Sequence, residues 1–222
     1  MTANAESQYH SIEIDGEELL LLPERAILWK RKNALLVSDL HLGKSGHFRK
    51  AGIPLPSSIH HQDLGRLTKI IEERSVKKLY LLGDLYHSTH NTEWNHFLTW
   101  RKKHSTLAIH LIRGNHDILD DRLIIQAGIT LHPIDLEEPP FLLIHKSCDK
   151  NRSLFQISGH LHPAIRLSGK GRQSATFPCF WFRKNCAVLP AFGNFTGNAM
   201  ISSTDSDNIF FIAGGKVIAF NR

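Results

Sequence analysis

The stretch ALLVSDLH, residues 34–41, joins a short apolar run to an aspartate and a histidine two positions apart. A run of this length, with no alternation of polar residues, is typical of a strand buried on both faces of a parallel sheet. Apolar residues then recur at helical spacing between positions 59 and 71, and another apolar run follows at residues 79–82. This order of strand, helix and strand predicts an α/β fold built on parallel strands.

The regions on either side extend this pattern. Before it, residues 11–14 and 18–22 flank the turn signal Asp15-Gly16, which predicts an antiparallel hairpin, and a further strand follows at residues 26–29. Beyond it we predict a helix from Asn91 to the basic triplet 101–103 and a short helix over residues 120–127. Further strands are predicted at residues 107–112, 142–144, 154–158, 179–182, 186–189, 209–212 and 217–220.

Composition sets broad limits on the protein. With 222 residues and 41% apolar content, the chain can bury one substantial core, so we expect a single domain over residues 1–222. No apolar run approaches the roughly 20 residues of a membrane span, so we expect a cytoplasmic protein with no membrane partner. The net charge of +6 favours polyanionic partners without defining one. Cys148, Cys179 and Cys186 lack the spacing of a disulfide framework, so we expect reduced thiols.

Metal-ligating residue types follow nearly every predicted central strand. Because the carboxyl ends of parallel strands share one edge of a sheet, these side chains are expected to meet at a common site. In chain order they are Asp39 and His41, then Asp84, then Asn115 with His116 and Asp117, then His145, and finally His160 and His162.

Spacing suggests how these side chains converge. Residues two apart in extended backbone project to the same side, so Asp39 with His41, and His160 with His162, are each expected to face one region. Glycines at positions 83, 114 and 159 precede the ligands and are expected to let the chain turn sharply as it leaves the sheet.

Charge and ligand chemistry favour a pair of metal ions over one ion. Two divalent cations bring +4 and two aspartates bring −2, which leaves +2 to attract a hydroxide and an anionic phosphate. A mixture of carboxylate, amide and imidazole ligands suits manganese, iron, cobalt or zinc better than magnesium or calcium. We therefore expect two divalent ions, with manganese first and iron, zinc or cobalt as alternatives.

The ordered blocks D-x-H, G-D, G-N-H-D, H and G-H-x-H, from Asp39 to His162, resemble those of the calcineurin-like metallophosphoesterase superfamily. The resemblance implies a four-layer α/β/β/α sandwich with two mixed β-sheets flanked by helices. It also implies that Asp39, His41 and His162 bind one ion. The other ion would be bound by Asn115, His145 and His160, with Asp84 bridging the two.

The same resemblance implies two catalytic residues. His116 would act as the acid/base near the leaving oxygen, and Asp117 would orient it. The expected reaction is attack on a phosphate ester by a hydroxide that bridges the two ions. One departure from the superfamily is Lys146, which stands where many members have glycine after the fourth-block histidine.

A narrower resemblance is to the ligase-associated DNA damage response endonucleases of the PdeM group. Its motifs are residues 38–44, Phe48-Arg49 with 52–54, residues 83–85, and the tail segments 179–181, 189–193 and 195–197. The resemblance implies a nuclease acting on DNA in repair, associated with a DNA ligase, a helicase and an exonuclease. It leaves open whether the protein forms a homo-oligomer.

Three further interpretations stay open from the residues alone. Lys44 and Arg49 follow the first metal block and either bind substrate phosphate oxygens or are simply solvent-exposed. The dimetal centre would serve a phosphodiesterase, our first hypothesis, or a phosphomonoesterase such as a phosphoprotein phosphatase. A catalytically silent scaffold of the same fold is the third alternative.

Overall fold

A computed structural model describes residues 8–43, 59–87, 92–146, 152–169, 171, 173–194 and 196–220 of the chain. Two mixed β-sheets and three helices make up these residues. The helices are α1 (Ile59–Glu73), α2 (Thr92–Lys103) and α3 (Asp121–Gln126).

The first sheet has seven strands that follow one another in chain order. They are β1 (His10–Ile14), β2 (Glu17–Leu22), β3 (Ala26–Trp29), β4 (Ala34–Val37), β5 (Lys78–Leu82), β6 (Ala108–Ile112) and β7 (Ile129–His132). Strands β1 to β4 pair antiparallel, and β4 to β7 pair parallel. The predicted hairpin turn is confirmed, because Asp15 and Gly16 have φ of 49° and 78°, as a tight hairpin turn requires.

The second sheet has nine strands and is formed by the later part of the chain. They are β8 (Asp135–Glu138), β9 (Phe141–Ile144), β10 (Phe155–Ser158), β11 (Pro163–Ser168), β12 (Ser174–Arg183), β13 (Cys186–Val188), β14 (Ala199–Met200), β15 (Asn208–Ala213) and β16 (Lys216–Ala219). At its centre β9, β10 and β13 pair parallel.

The main apolar core lies between the two sheets. Trp29 and Phe141 meet there edge to face, with ring centroids 4.8 Å apart, and Phe180 and Leu82 belong to the same cluster. A second core lies under the helices, where residues such as Leu67, Trp94 and Ile124 pack on the other face of the first sheet. The amphipathic spacing of α1 produces its half of this contact.

These layers confirm the predicted α/β sandwich with two mixed sheets. Among the described residues, all three helices belong to the core on the first sheet. The outer face of the second sheet carries a smaller cluster contributed by strands and turns, around Ile165, Cys179 and Ile209. None of the described helices has both the length and the apolar character needed to cross a bilayer.

The cysteines differ from one another. Cys179 is a buried free thiol, and burial raises its pKa to about 12. Cys186 is disulfide-bonded, which corrects the expectation that its thiol is reduced. The spacing of three cysteines along the chain could not reveal this, because a disulfide depends on distance in the fold.

Two histidines on neighbouring strands form a half-buried pair beside the inter-sheet core. His110 Nδ1 lies 3.1 Å from His132 Nε2, and Lys78, Tyr80 and Glu138 surround the pair. Burial lowers the pKa of both imidazoles, the neighbouring His132 and Lys78 lower that of His110 further, and Glu138 opposes these effects. Both histidines are therefore held in the neutral form at neutral pH.

We expect this pair to make the fold sensitive to acid. An imidazole whose pKa is lowered by folding binds protons more readily in the unfolded chain, so stability is lost as pH falls below the unfolded pKa of about 6.5. The Tm of metal-free protein should fall between pH 7.5 and 5.5, by about 2–4 °C for each kcal/mol lost. The double variant His110→Gln/His132→Gln should show a smaller fall, whereas His96→Gln, on the exposed face of α2, should match the wild type. An unchanged fall in the double variant would contradict the assignment.

Candidate metal centre

The predicted ligands gather at one edge of the molecule, where the central strands end. Asp39 and His41 follow β4, Asp84 follows β5, and Asn115 lies beyond β6. From the second sheet, His145 follows β9, while His160 and His162 follow β10. Two groups of three side chains form there, each with ligand atoms within 4.8 Å of one another.

The first trio contains Asp39, His41 and His162. Asp39 Oδ1 lies 3.3 Å from His162 Nε2 and 3.9 Å from His41 Nε2. Burial disfavours the charged form of Asp39, but His162 and His145 outweigh it and hold its pKa below the ordinary value. The carboxylate therefore stays ionised at neutral pH, as a metal ligand must.

The second trio contains Asp84, His145 and His160. His145 Nε2 lies 3.1 Å from His160 Nδ1 and 3.5 Å from Asp84 Oδ1. Asn115, which lacks an ionisable group, adds its amide oxygen 3.0 Å from the same His145 nitrogen. Four potential ligand atoms thus surround one small volume.

Asp84 faces both trios. Its Oδ2 lies 3.8 Å from His41 Nε2 in the first trio, while its Oδ1 belongs to the second. One carboxylate therefore reaches toward two neighbouring cation positions, which is the geometry that a bridging ligand needs.

Hydrogen bonds behind two of the histidines fix which ring nitrogen is available. His145 Nδ1 donates to the carbonyl oxygen of Leu82 at 2.9 Å, and His162 Nδ1 donates to that of Gly197 at 3.0 Å. In the neutral tautomers the lone pair is then on Nε2, which points into the site in both cases. Such backbone contacts are typical of metal-binding histidines.

Unsatisfied polar atoms at the first trio fit a cation. Asp39 Oδ1 and His162 Nε2 are buried, and neither makes a hydrogen bond of normal geometry with the described part of the chain. Asp39 Oδ2, by contrast, accepts the backbone N–H of His160 at 2.9 Å. A buried acceptor left unsatisfied costs about 1–3 kcal/mol, and a charged one costs more, so a cation between these atoms would relieve a real penalty.

The ligand backbone is strained. Asp39, His41, Asp84, His160 and His162 have φ of 54°, 48°, 50°, 69° and 53°. A left-handed conformation costs a non-glycine residue on the order of 1–3 kcal/mol, and such residues cluster at functional sites. These turns correct the expectation of extended backbone at the candidate ligands. Asp39 and His41 share one trio, whereas His160 and His162 join different trios.

The three glycines serve two different needs. Gly83 has φ of +81°, so it makes the sharp turn that we predicted. Close approach requires glycine at all three positions, since a Cβ on Gly83 would lie 2.1 Å from His145 Nδ1. A Cβ on Gly114 would collide with Asp84, and a Cβ on Gly159 would lie 2.5 Å from Ser38 Cβ and 2.7 Å from Asp39 Oδ2.

Comparison with known proteins identifies the family. A family model described as calcineurin-like phosphoesterase matches residues 33–217. The protein belongs to the calcineurin-like phosphoesterase family. The fold of this family uses a dimetal centre, and the two trios are the candidate ligand groups for it here. A comparison with curated protein sequences finds no match.

Several solved structures of other proteins resemble the chain. The Pseudomonas putida nuclease MPE is 30% identical, with a TM-score of 0.82 over 96% of this chain and 100% of that one. The E. coli phosphoesterase Yfce is 13% identical, with a TM-score of 0.45 over 84% and 96%. The Aquifex aeolicus protein AQ665, of unknown function, is 19% identical, with a TM-score of 0.42 over 63% and 82%. The last two likenesses are too weak to bear on function.

The candidate acid/base of this calcineurin-like site lies at the edge of the trios. The ring centroid of half-buried His116 is 5.7 Å from that of His41, and its backbone N–H donates to Asp84 Oδ1 at 2.9 Å. The imidazole is thus next to both trios without belonging to either.

Asp117, the predicted orienting partner of His116, is buried and accepts three backbone N–H groups. Its Oδ2 accepts from the backbone N–H groups of Gly114 and Asp84 at 2.8 and 3.0 Å, and its Oδ1 accepts from that of Tyr86 at 3.1 Å. Burial raises its pKa to about 6, and the hydrogen bonds from Gly114 and Tyr86 moderate that rise. Its carboxylate therefore holds the loops after β5 and β6 together.

His87 belongs to this neighbourhood and was missed by the sequence analysis. Its ring centroid is 4.2 Å from that of His116 and 5.5 Å from that of His41. Its backbone N–H donates to the carbonyl oxygen of Leu42 at 2.8 Å, which ties it to the first ligand loop. The available signal was its position three residues after Asp84.

The structure describes only one of the three basic residues that the sequence analysis singled out near the motifs. Lys44 and Arg49, the candidate phosphate-binding residues, lie outside the described residues. Lys146 is exposed, whereas His145 beside it is buried and keeps its contacts with Leu82 and Asn115. Lysine in the usual glycine position therefore does not displace the ligand.

Proposed function

We propose that the protein is a dimetal-dependent phosphodiesterase and that it acts as a nuclease on DNA in repair. The observation that carries the proposal is the carboxylate of Asp84, which faces both ligand trios at once. Likeness to the nuclease MPE over nearly the whole of both chains supports the choice of a phosphodiester substrate. The net charge of +6 is compatible with a polyanion.

Each residue has a role in this proposal. Asp39, His41 and His162 hold one divalent ion, Asn115, His145 and His160 hold the other, and Asp84 binds both. When bound, the ions supply Lewis-acid activation of a water nucleophile and neutralise phosphate charge. Manganese is our first choice, with iron, zinc or cobalt as alternatives, because imidazole nitrogens are mixed with oxygen ligands.

The protein's own side chains manage the protons and the substrate charge. His116, outside both trios, donates a proton to the leaving oxygen as the ester bond breaks. Asp117 keeps the loops that carry Asp84 and Asn115 in register. Lys44 and Arg49 are proposed to contact phosphate oxygens.

A substrate screen tests this function. Protein reconstituted with Mn²⁺ should hydrolyse bis(p-nitrophenyl) phosphate faster than p-nitrophenyl phosphate and should nick plasmid DNA, and chelator-treated protein should do neither. RNA and a phosphopeptide complete the panel. Preference for the monoester or the phosphopeptide would indicate a phosphomonoesterase. Metal-loaded protein that is inert toward every ester would indicate a scaffold.

A further inference from the structure

The turn that carries Asp39 and His41 is held from two sides. On one side it is tied to the loop after β5, because Asp39 N–H donates to the Gly83 carbonyl at 3.2 Å and His41 N–H to that of Asp84 at 2.8 Å. On the other side it meets residues 189–194, which we call the anchor segment. Because both ligands are in left-handed backbone, contacts of this kind are needed to keep them there.

The anchor segment touches the turn through backbone groups. Phe192 N–H donates to the carbonyl oxygen of Ser38 at 2.8 Å, and Gly193 N–H donates to that of Asp39 at 3.1 Å. The contact leaves no room for a side chain at position 193, where a Cβ would lie 2.5 Å from the Leu40 carbonyl oxygen. The position of the Asp39 turn therefore depends on where the anchor segment lies.

Side chains of helix α1, together with Arg25 from the turn between β2 and β3, hold the anchor segment in place. Asp63 accepts the backbone and side-chain N–H groups of Asn194 at 3.2 and 2.7 Å. Arg66 donates to the Phe192 carbonyl and, at 3.2 Å, to Asn194 Oδ1, and its guanidinium lies 4.2 Å from the Phe192 ring centroid. Arg25 reaches the carbonyls of Ala191 and Gly193, each at 3.4 Å.

The charges in this network depend on one another. Asp63 is only 2% exposed and pairs with Arg66 at 3.1 Å. Burial lowers the pKa of Arg66, and the charge of Asp63 raises it again. Removing one member of a buried pair leaves the other uncompensated, so the network holds its geometry only when both are present.

The network acts mainly on one trio. The anchor segment binds the turn of Asp39 and His41, and Gly197, just beyond it, accepts the Nδ1 proton of His162. Its remaining backbone contact, Leu189 N–H to the Ser158 carbonyl at 2.8 Å, continues the ladder between β13 and β10. None of its described backbone hydrogen bonds goes to the loops of Asp84, Asn115 or His145.

We propose that Asp63 is a positioning residue for the first metal site, that of Asp39, His41 and His162, and acts through the anchor segment. The inference rests on the dimetal centre of the proposed function. Loss of Asp63 lets the anchor segment shift, so the first site, whose turn the segment contacts directly, loses more affinity than the second.

Metal binding tests the proposal without relying on catalysis. Wild-type protein stripped of metal and titrated with Mn²⁺ by calorimetry should bind two ions, and His162→Ala should identify the first site by weakening it. Asp63→Asn should weaken the same site 10–100-fold, the usual effect of losing a residue that orients a ligand. The affinity of the second site should fall by a clearly smaller factor, because the described backbone hydrogen bonds of the anchor segment do not reach the loops of Asp84, Asn115 or His145.

A matched control separates positioning from general loss of stability. Glu17→Gln also removes a buried carboxylate from an ion pair, since Glu17 accepts from Trp29 Nε1 at 2.6 Å and pairs with Arg31, but it belongs to neither trio nor the anchor network. This variant should lower the Tm and leave both Mn²⁺ affinities unchanged. Asn194→Ala removes the side-chain N–H that Asp63 accepts and the Oδ1 that Arg66 contacts, but it keeps the backbone N–H to Asp63. Because residue 194 is exposed, this variant should fold and weaken the first site, by a smaller factor, even if Asp63→Asn fails to fold.

The outcomes are distinct. The positioning role would be overturned if the variants weakened both sites equally. It would also be overturned if neither Asp63→Asn nor Asn194→Ala weakened the first site. Both results would leave the phosphodiesterase proposal intact. If the wild-type protein bound no Mn²⁺, the proposed dimetal centre would be contradicted, and the inference that rests on it would fail too.

Discussion

Replacing Asp84 with alanine is expected to lower kcat/KM for bis(p-nitrophenyl) phosphate by about 10³-fold or more, or about 4 kcal/mol in activation free energy. The two oxygens of this carboxylate face His41 of one trio and His145 of the other. Its loss removes a negative ligand from both cation positions, so binding of the two ions should weaken together. The measurements are steady-state kinetics and metal content after gel filtration.

Folding should survive the Asp84→Ala change. The side chain is buried and close to Asp117, whose pKa it raises, so its removal relieves repulsion between like charges in the metal-free protein. We expect the Tm of the metal-free variant to equal or exceed that of the metal-free wild type. Glu73→Ala, which breaks an exposed pair with Lys69 on α1, serves as the control with unchanged kinetics. An Asp84→Ala enzyme with near-normal turnover would exclude the bridging role.

Replacing His116 with alanine should produce a different pattern. A proton donor matters most when the leaving group is a poor one, so cleavage of DNA, which expels an alkoxide, should slow by about 10²–10⁴-fold. Hydrolysis of bis(p-nitrophenyl) phosphate, which expels a stabilised phenolate, should fall far less. Metal content should not change, because the His116 imidazole is in neither trio.

Two comparisons make the His116 result decisive. His96→Ala removes an exposed histidine from α2 and should leave both activities at wild-type values. An equal loss on the two substrates would mean that His116 acts on binding or on the metal centre, and retained DNA cleavage would remove it from the reaction.

Much of the fold could be predicted because its central strands are apolar throughout. The run at β4 is fully buried, and so are most residues of β5, which is why these strands stand out in the sequence. The edge strand β8 was missed because its sequence, Asp135-Leu136-Glu137-Glu138, is mostly charged and partly exposed. Such a strand takes its structure from pairing with β9, not from its own composition.

The sequence predicted which candidate ligands would lie together, but it did not predict their geometry. The carboxyl ends of parallel strands must share an edge, so the motif order alone indicated that Asp39, Asp84 and Asn115 would meet. His145 joins them from the second sheet, which the motif order does not show. The two-residue spacing revealed neither the left-handed backbone of His160 and His162 nor their separation into different trios. The role of Asp63 could not be predicted for another reason, since its hydrogen-bond partner Asn194 is 131 positions away in the sequence.

The origin of the ligands has a consequence for mechanics. Each candidate ion position takes ligands from both sheets. In the first group, Asp39 and His41 follow a strand of the first sheet and His162 follows a strand of the second. In the second group, Asp84 and Asn115 come from the first sheet and His145 and His160 from the second. A bound pair of ions would therefore cross-link the two sheets at the edge where their strands end. The edge-to-face contact of Trp29 with Phe141 also joins the two sheets, in the interior, so a core substitution there is expected to change the distance between ligands from different sheets.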